Sequence, residues 1–259
     1  MSKGKWDIVE RFMKCQEELE SRGNELQTWT DSLEELSEIE KAFEADKLHG
    51  KTILDIGTDC VKALYLALKY EPDTIIGINE SLSDYSYAAD IEQNSRLFAK
   101  TDIKFYDCSC FNNEKLDEIL IREKKTIFDF VLLSKTLHHL RTGKCIAKER
   151  DPKHTCREDE ESCVYRFDER DTFELLLRLG KRLIVYECFY PGEEDNDKVR
   201  GRGGYFTIKE WRQILGHLAE NYSVELIQPL RCSIDKEEFE NVNTKLRQVD
   251  GICFYVEKR

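Results

Sequence analysis

Four short polar clusters each close an apolar run: Asp55-Ile56-Gly57-Thr58-Asp59 ends TILDIG, Asn79-Glu80 follows TIIGI, Asp107-Cys108 follows IKFY, and Ser134-Lys135 follows FDFVLL. A single glycine, several acceptors and an amide in this order offer one close backbone approach, partners for sugar hydroxyls and a partner for a heterocycle edge. Gly57, Asn79 with Glu80, and Asp107 fill those roles. Together they suit a nucleoside without phosphates. A dinucleotide would need G-x-G-x-x-G after the first strand, and the segment from Gly57 reads G-T-D-C-V-K. No G-K-[ST] closes a glycine loop, so neither NAD nor ATP has its cradle.

Further along, Cys145, His154, Cys156 and Cys163 are the residue types that bind zinc. Their spacing contains no C-x-x-C pair and fits no common knuckle, so no metal is expected. Tyr186, Phe189, Tyr190 and Tyr205 group around one strand end, as core packing or as the wall of an acceptor pocket. The loop PGEEDNDKVRGRGG after them has the glycines of a hinge and reads equally as a lid or a solvated loop.

The elements that must position these clusters alternate in period. TILDIG is a short apolar run, VKALYLALKY has helical spacing, and TIIGI is again strand-like, which makes a βαβ unit. Helix-like 84–98, strand IKFYD, helix NNEKLDEILIREKK and strand FDFVLLS continue it. A polar stretch at about 141–170 interrupts the alternation. Helix DTFELLLRLG and strand RLIVYECF restore it, and a helix over 207–220 precedes the strands YSVELIQPL and GICFYVEK. The expected fold class is α/β, a doubly wound, seven-stranded, mostly parallel sheet whose final pair is antiparallel. Residues 1–50 carry Ile8, Phe12, Leu19, Leu33, Leu36, Ile39 and Phe43 at helical spacing and form an N-terminal helical extension to a main domain at 51–259.

Composition agrees with this organisation. At roughly 150 residues per domain, 259 residues make one large domain with an appendage. Charged residues are 36% of the chain against about 25% in an average globular protein, and hydrophobic residues are 40%, which excludes wholesale disorder. The 40 basic and 52 acidic residues leave a net charge of −12, a field that disfavours nucleic acid and anionic membranes as partners. Ten cysteines are too few for a disulfide scaffold. No apolar run approaches the ~18 residues of a membrane helix, and MSKGKWDIVERFMKC has charges where a signal peptide is apolar. The expectation is a cytoplasmic protein.

Taken together, ILDIGTD, IIGINES, IKFYDCS, FDFVLLSKTLHHL, GKRLIVYECF and GYFTIKEWRQILGHLAENYSVELIQPL resemble the motifs of the Rossmann-fold, class I S-adenosylmethionine-dependent methyltransferases, in their small-molecule branch. The chain departs from the family at Asp59 and Val61, which replace the second and third motif glycines, and at Asn79, which stands where the ribose acid is usual, with Glu80 beside it.

The resemblance implies S-adenosylmethionine as cofactor, held by Asp55, Gly57, Thr58, Asp59, Asn79, Glu80, Asp107, Cys108 and Ser134. It implies in-line transfer of a sulfonium methyl to a small molecule or a protein side chain, driven by alignment and desolvation and without a metal. His138 and His139, after the fourth strand, are the candidate bases where the acceptor must lose a proton, with packing and helix capping as their other reading. The competing function is a non-catalytic module of the same fold that docks a partner. Neither the acceptor nor the oligomeric state follows from the residues.

Overall fold

The computed structural model describes residues 36, 39–40, 48–80, 82, 88–98, 100–137, 169–190, 206–228 and 251–259. The chain divides into two compact units, residues 1–132 with 179–184, and residues 133–178 with 185–259.

The first unit alternates strand and helix: β1 (Thr52–Ile56), α1 (Val61–Tyr70), β2 (Thr74–Asn79), α2 (Ala88–Phe98), β3 (Asp102–Asp107) and α3 (Asn113–Arg122). It also takes in most of β4 (Phe128–Ser134) and the start of β5 (Gly180–Tyr190). β1, β2 and β3 pair in parallel, with Asp55 opposite Gly77 and Asn79 opposite Asp107. Ile53, Leu54, Ile75, Ile76 and Ile78 are buried, as strands covered on both faces require. α1 packs through Val61, Ala63, Leu64, Leu66, Ala67 and Leu68. It ends where Glu71 turns left-handed before Pro72, the residue that cannot continue a helix. Asn112 caps α3 by accepting from Lys115 N at 3.1 Å.

Two contacts fix β4 and β5 within this unit. Asp129 Oδ2 accepts from Thr52 N at 3.0 Å and from Thr52 Oγ1 at 3.1 Å, and Asp129 Oδ1 takes Lys181 Nζ at 2.7 Å. A Cβ on Gly180 would stand 2.4 Å from Val131 Cγ2, so the start of β5 admits only glycine beside β4. Of the N-terminal segment, Leu36 and Ile39 are helical and buried, and Glu40 forms an ion pair with Lys69 of α1.

The second unit holds the end of β4, α4 (Glu169–Leu179) up to Arg178, the rest of β5, β6 (Phe206–Thr207), α5 (Ile208–Asn221), β7 (Tyr222–Gln228) and β8 (Gly251–Lys258). Its core is aromatic. Trp211 is fully buried, 5.0 Å from Phe206 and 5.7 Å edge-on from Phe254, which lies 6.4 Å from Phe173. β7 and β8 are antiparallel, with a register shift between Leu226 and Gln228.

The hydrogen-bonded strand order is β3-β2-β1-β4-β5-β8-β7. The expected seven strands are this path, and its last sequence pair is antiparallel as expected. The two-residue β6, beside β5, is an eighth strand too short to leave a period in the sequence. Among the described residues no helix is long and apolar enough to cross a membrane.

Candidate functional site

The turn from β1 into α1 is built by unusual backbone. Gly57 lies in the left-handed region at φ 72°, and its N–H and that of Thr58 both donate to Ile78 O, at 2.8 and 3.2 Å. The chain thereby folds over the end of β2. Cys60, although not a glycine, is also left-handed at φ 67°, a conformation that costs an L-residue about 1–2 kcal/mol. Such strain persists where surrounding contacts fix it.

Those contacts are the first N–H groups of α1. Cys60 N donates to Thr58 Oγ1 at 3.0 Å, and Val61 N and Lys62 N donate to Asp59 Oδ1 at 3.1 and 3.2 Å. Asp59 Oδ2 is ion-paired with Lys62 Nζ. A helix N-terminus is ordinarily a seat for an anion. Here the chain's own carboxylate sits in it. Burial works to raise the pKa of Asp59, but the Lys62 ammonium and these hydrogen bonds outweigh it and hold the carboxyl below its usual range.

Asp55, at the end of β1, is the opposite case. It is 1% exposed, and among the described residues neither carboxylate oxygen accepts a well-formed hydrogen bond. Burial pushes its pKa up to about 6, against the charge of Lys62 and the nearby Thr58 hydroxyl. An unsatisfied buried carboxylate is costly, and such groups concentrate where a ligand supplies the partner.

The ends of β2 and β3 complete the arrangement. Asn79 Nδ2 donates to Thr58 O at 2.9 Å, and Cys108 N donates to Asn79 O at 3.0 Å. Glu80 and Asp107 are exposed. Cys108 is buried with Sγ 3.2 Å from Ser109 O, and burial raises its thiol. The first unit therefore brings Asp55, Gly57, Thr58, Asp59, Asn79, Glu80, Asp107 and Cys108 to the carboxyl ends of adjacent strands, where a doubly wound sheet binds its ligands.

Ser134 belongs to the second unit, buried, its carbonyl accepting from Thr136 Oγ1 at 3.0 Å. The next residue, Lys135, is left-handed at φ 50° and donates its N–H to Tyr186 O at 2.8 Å. Glu187 beside it is fully buried. His138, His139, Cys145, His154, Cys156, Cys163, Tyr205 and the loop 191–204 lie outside the described residues. No cluster of three metal-ligating side chains occurs among the described ones.

Lys62, Gly77 and Glu92 carry roles that sequence reasoning passed over. Lys62 looks like an ordinary helix lysine, and only its offset of three from Asp59 hints at the pair. Gly77 sits mid-strand, the usual mark of a close approach: a Cβ there would be 2.6 Å from Phe105 Cδ1 and 2.7 Å from Thr58 Cγ2. Glu92 accepts the N–H of Phe105 in β3, the terminal strand of the order among the described residues.

No protein-family model and no curated protein matches the chain. Solved structures do match. The YcgJ protein of Bacillus subtilis superposes with a TM-score of 0.51 at 13% identity, covering 86% of this chain and 99% of that one. The methyltransferase domain of bacterial CtHen1-C gives 0.51 at 15% identity, covering 88% of this chain and 100% of its own. The fold is that of the class I methyltransferases. The N-terminal domain of EvdMO1, solved with S-adenosylhomocysteine bound, superposes with a TM-score of 0.50 at 12% identity, covering 90% of this chain and 82% of that one. At such identities the likeness is one of backbone.

Proposed function

We propose that the protein binds S-adenosylmethionine at the ends of β1, β2 and β3 and transfers its methyl group to a small molecule or a protein side chain. The observation that carries this reading is Asp55: a buried carboxylate whose oxygens accept no well-formed hydrogen bond among the described residues, with the Thr58 hydroxyl nearby, at the strand end where a doubly wound sheet seats its ligand. The cofactor's arm ends in an ammonium group, which is the partner such a carboxylate lacks. The self-capped start of α1 supports a ligand without phosphates, since Asp59 repels an anion there. The structure of the EvdMO1 domain with S-adenosylhomocysteine bound is in keeping with that ligand class.

Within this reading Gly57 gives the close approach, Asn79 and Glu80 face the ribose, and Asp107 and Cys108 the adenine, with Ser134 at the next strand end. The cofactor supplies an activated methyl. The chain's part is to align it, exclude water and, for an acceptor that loses a proton, provide a base, for which His138 and His139 are the candidates. The main domain is 51–259, with 1–50 as its helical extension.

Calorimetric and thermal-shift titration with S-adenosylmethionine, S-adenosylhomocysteine and NAD tests the proposal. A ligand at 100 times its dissociation constant adds about 2.7 kcal/mol of stability. Stabilisation by the first two alone is the expected result. No response to any of them overturns the cofactor and favours the partner-docking module, for which the replaced motif glycines at Asp59 and Val61 already speak.

A further inference from the structure

α3 has two unlike faces. Leu116 and Ile119 are buried on one. On the other, Asp117 and Glu118 are exposed, Ile121 is 77% exposed, and Lys124 is exposed just past the helix end. Their spacing of three and four residues lays them along one stripe of the helix. The chain then turns back on α3: Lys124 N donates to Ile121 O at 3.1 Å and Lys125 N to Leu120 O at 2.9 Å. Lys124 makes this turn in the left-handed region at φ 53°, where glycine is usual. Lys124 and Lys125 are thereby held at the last turn of α3, with Ile127, 37% exposed, two residues further on.

The stripe passes from acidic through apolar to basic. Acids before bases suit the dipole of the helix itself. The dipole gives no reason for an isoleucine in water at the middle of the stripe. Of the three large hydrophobic side chains that stand exposed among the described residues, two are Ile121 and Ile127. Neighbouring charges are engaged within the fold: Glu123 pairs with Lys104 and accepts the Tyr106 hydroxyl, and the Arg122 guanidinium lies 5.9 Å from the centre of the Tyr106 ring.

We propose that the outer face of α3 is an interface between two copies of this chain, packed as antiparallel helices about a twofold axis at Ile121. A stripe acidic at one end and basic at the other complements a copy of itself when the copy is reversed. With the two Ile121 side chains in contact at the axis, Glu118 faces the partner subunit's Lys124 and Asp117 faces the partner subunit's Lys125. The twofold repeats both pairs. The net charge of −12 opposes association at long range. At physiological ionic strength that repulsion is screened beyond about 8 Å, whereas charges in contact across an interface are screened much less. A helix of 10 residues with its turn makes a contact at the small end of specific interfaces, so the dimer is weak and reversible.

Sedimentation equilibrium of the full chain, from micromolar to millimolar concentration at about 0.15 M ionic strength, tests this. The expected result is an equilibrium between monomer and dimer. Ile121→Asp should weaken association by roughly tenfold or more, because it sets two like charges together at the axis. Lys124→Glu/Lys125→Glu and Asp117→Lys/Glu118→Lys should each stay monomeric alone, since every pair then joins like charges. Mixed in equal amounts, the two variants should form a heterodimer. One chain carrying all four changes, which leave the net charge as it was, should dimerise again. These side chains are exposed or half-exposed, and circular dichroism checks that each variant is folded.

A monomer at every concentration overturns the proposal. A dimer that the variants leave unchanged also overturns it, because its interface then lies elsewhere. So does association lost in both charge variants and regained neither in their mixture nor in the fourfold variant.

Discussion

Asn79 donates its side-chain amide to the main-chain carbonyl of Thr58 at 2.9 Å, tying the end of β2 to the turn that follows β1. An acid at this position could not make that bond, because a carboxylate has no proton to donate to a carbonyl. The amide of Asn79 therefore has a structural part: it holds Thr58, whose hydroxyl in turn accepts from Cys60 N.

Asn79→Asp should accordingly destabilise the protein by about 1–3 kcal/mol, since it replaces a hydrogen bond with an acceptor facing an acceptor. Asn79→Ala should cost about 1 kcal/mol. Urea unfolding at neutral pH measures both. An aspartate variant as stable as the original would show that the Thr58 carbonyl finds another donor.

Gly77→Ala should be more damaging than its size suggests. The added methyl would stand 2.6 and 2.9 Å from the Phe105 ring and 2.7 Å from Thr58 Cγ2, too close for either to remain in place. Overpacking of this kind costs about 1–3 kcal/mol. Because Thr58 is one of the groups displaced, the affinity for S-adenosylhomocysteine should fall together with the midpoint of denaturation. Loss of stability without loss of affinity would separate the β2 core from the site.

Much of the sheet is legible in the amino-acid sequence. β4 and β8 begin and end where their apolar runs do, and α1 coincides with VKALYLALKY, because strands buried on both faces and a strongly amphipathic helix leave an unbroken pattern. The strand-end clusters were legible for the same reason, since polarity returns where burial stops. The electrostatics of the turn were not. Cys60 adopts a glycine-like conformation without being glycine, held by hydrogen bonds from its neighbours, and the burial of Lys62 depends on what packs over α1. Nor does the sequence distinguish Asp59, whose Oδ1 accepts from two main-chain N–H groups, from Asp55, whose oxygens accept no well-formed hydrogen bond among the described residues.

Cys60, Cys108, Cys110 and Cys253 are buried. Burial pushes the thiols of Cys60 and Cys108 up, so the thiolate form that reacts is scarce at neutral pH. Alkylation of the native protein followed by peptide mapping should leave these four cysteines unmodified, with labelling only after denaturation. Rapid modification of Cys108 in the native state would mean that the end of β3 opens on the timescale of the reaction.

Asp55→Asn separates stability from binding through pH. The carboxyl titrates near 3.8 in an unfolded chain and near 6 when folded, so between these values the folded state binds more protons and stability falls as pH rises. The full cost of the charge, about 3 kcal/mol at most from the size of the shift, is present above the folded value and absent below the unfolded one. Asp55→Asn should thus raise the denaturation midpoint at pH 8 and leave it almost unchanged at pH 4. The same substitution removes the charge that would pair with a ligand ammonium, so S-adenosylhomocysteine affinity should drop at pH 8, where stability gains most. A variant that gains stability and keeps its affinity would show that the buried charge at Asp55 serves no ligand; one that loses stability at pH 8 would show that a protein group already satisfies the carboxylate.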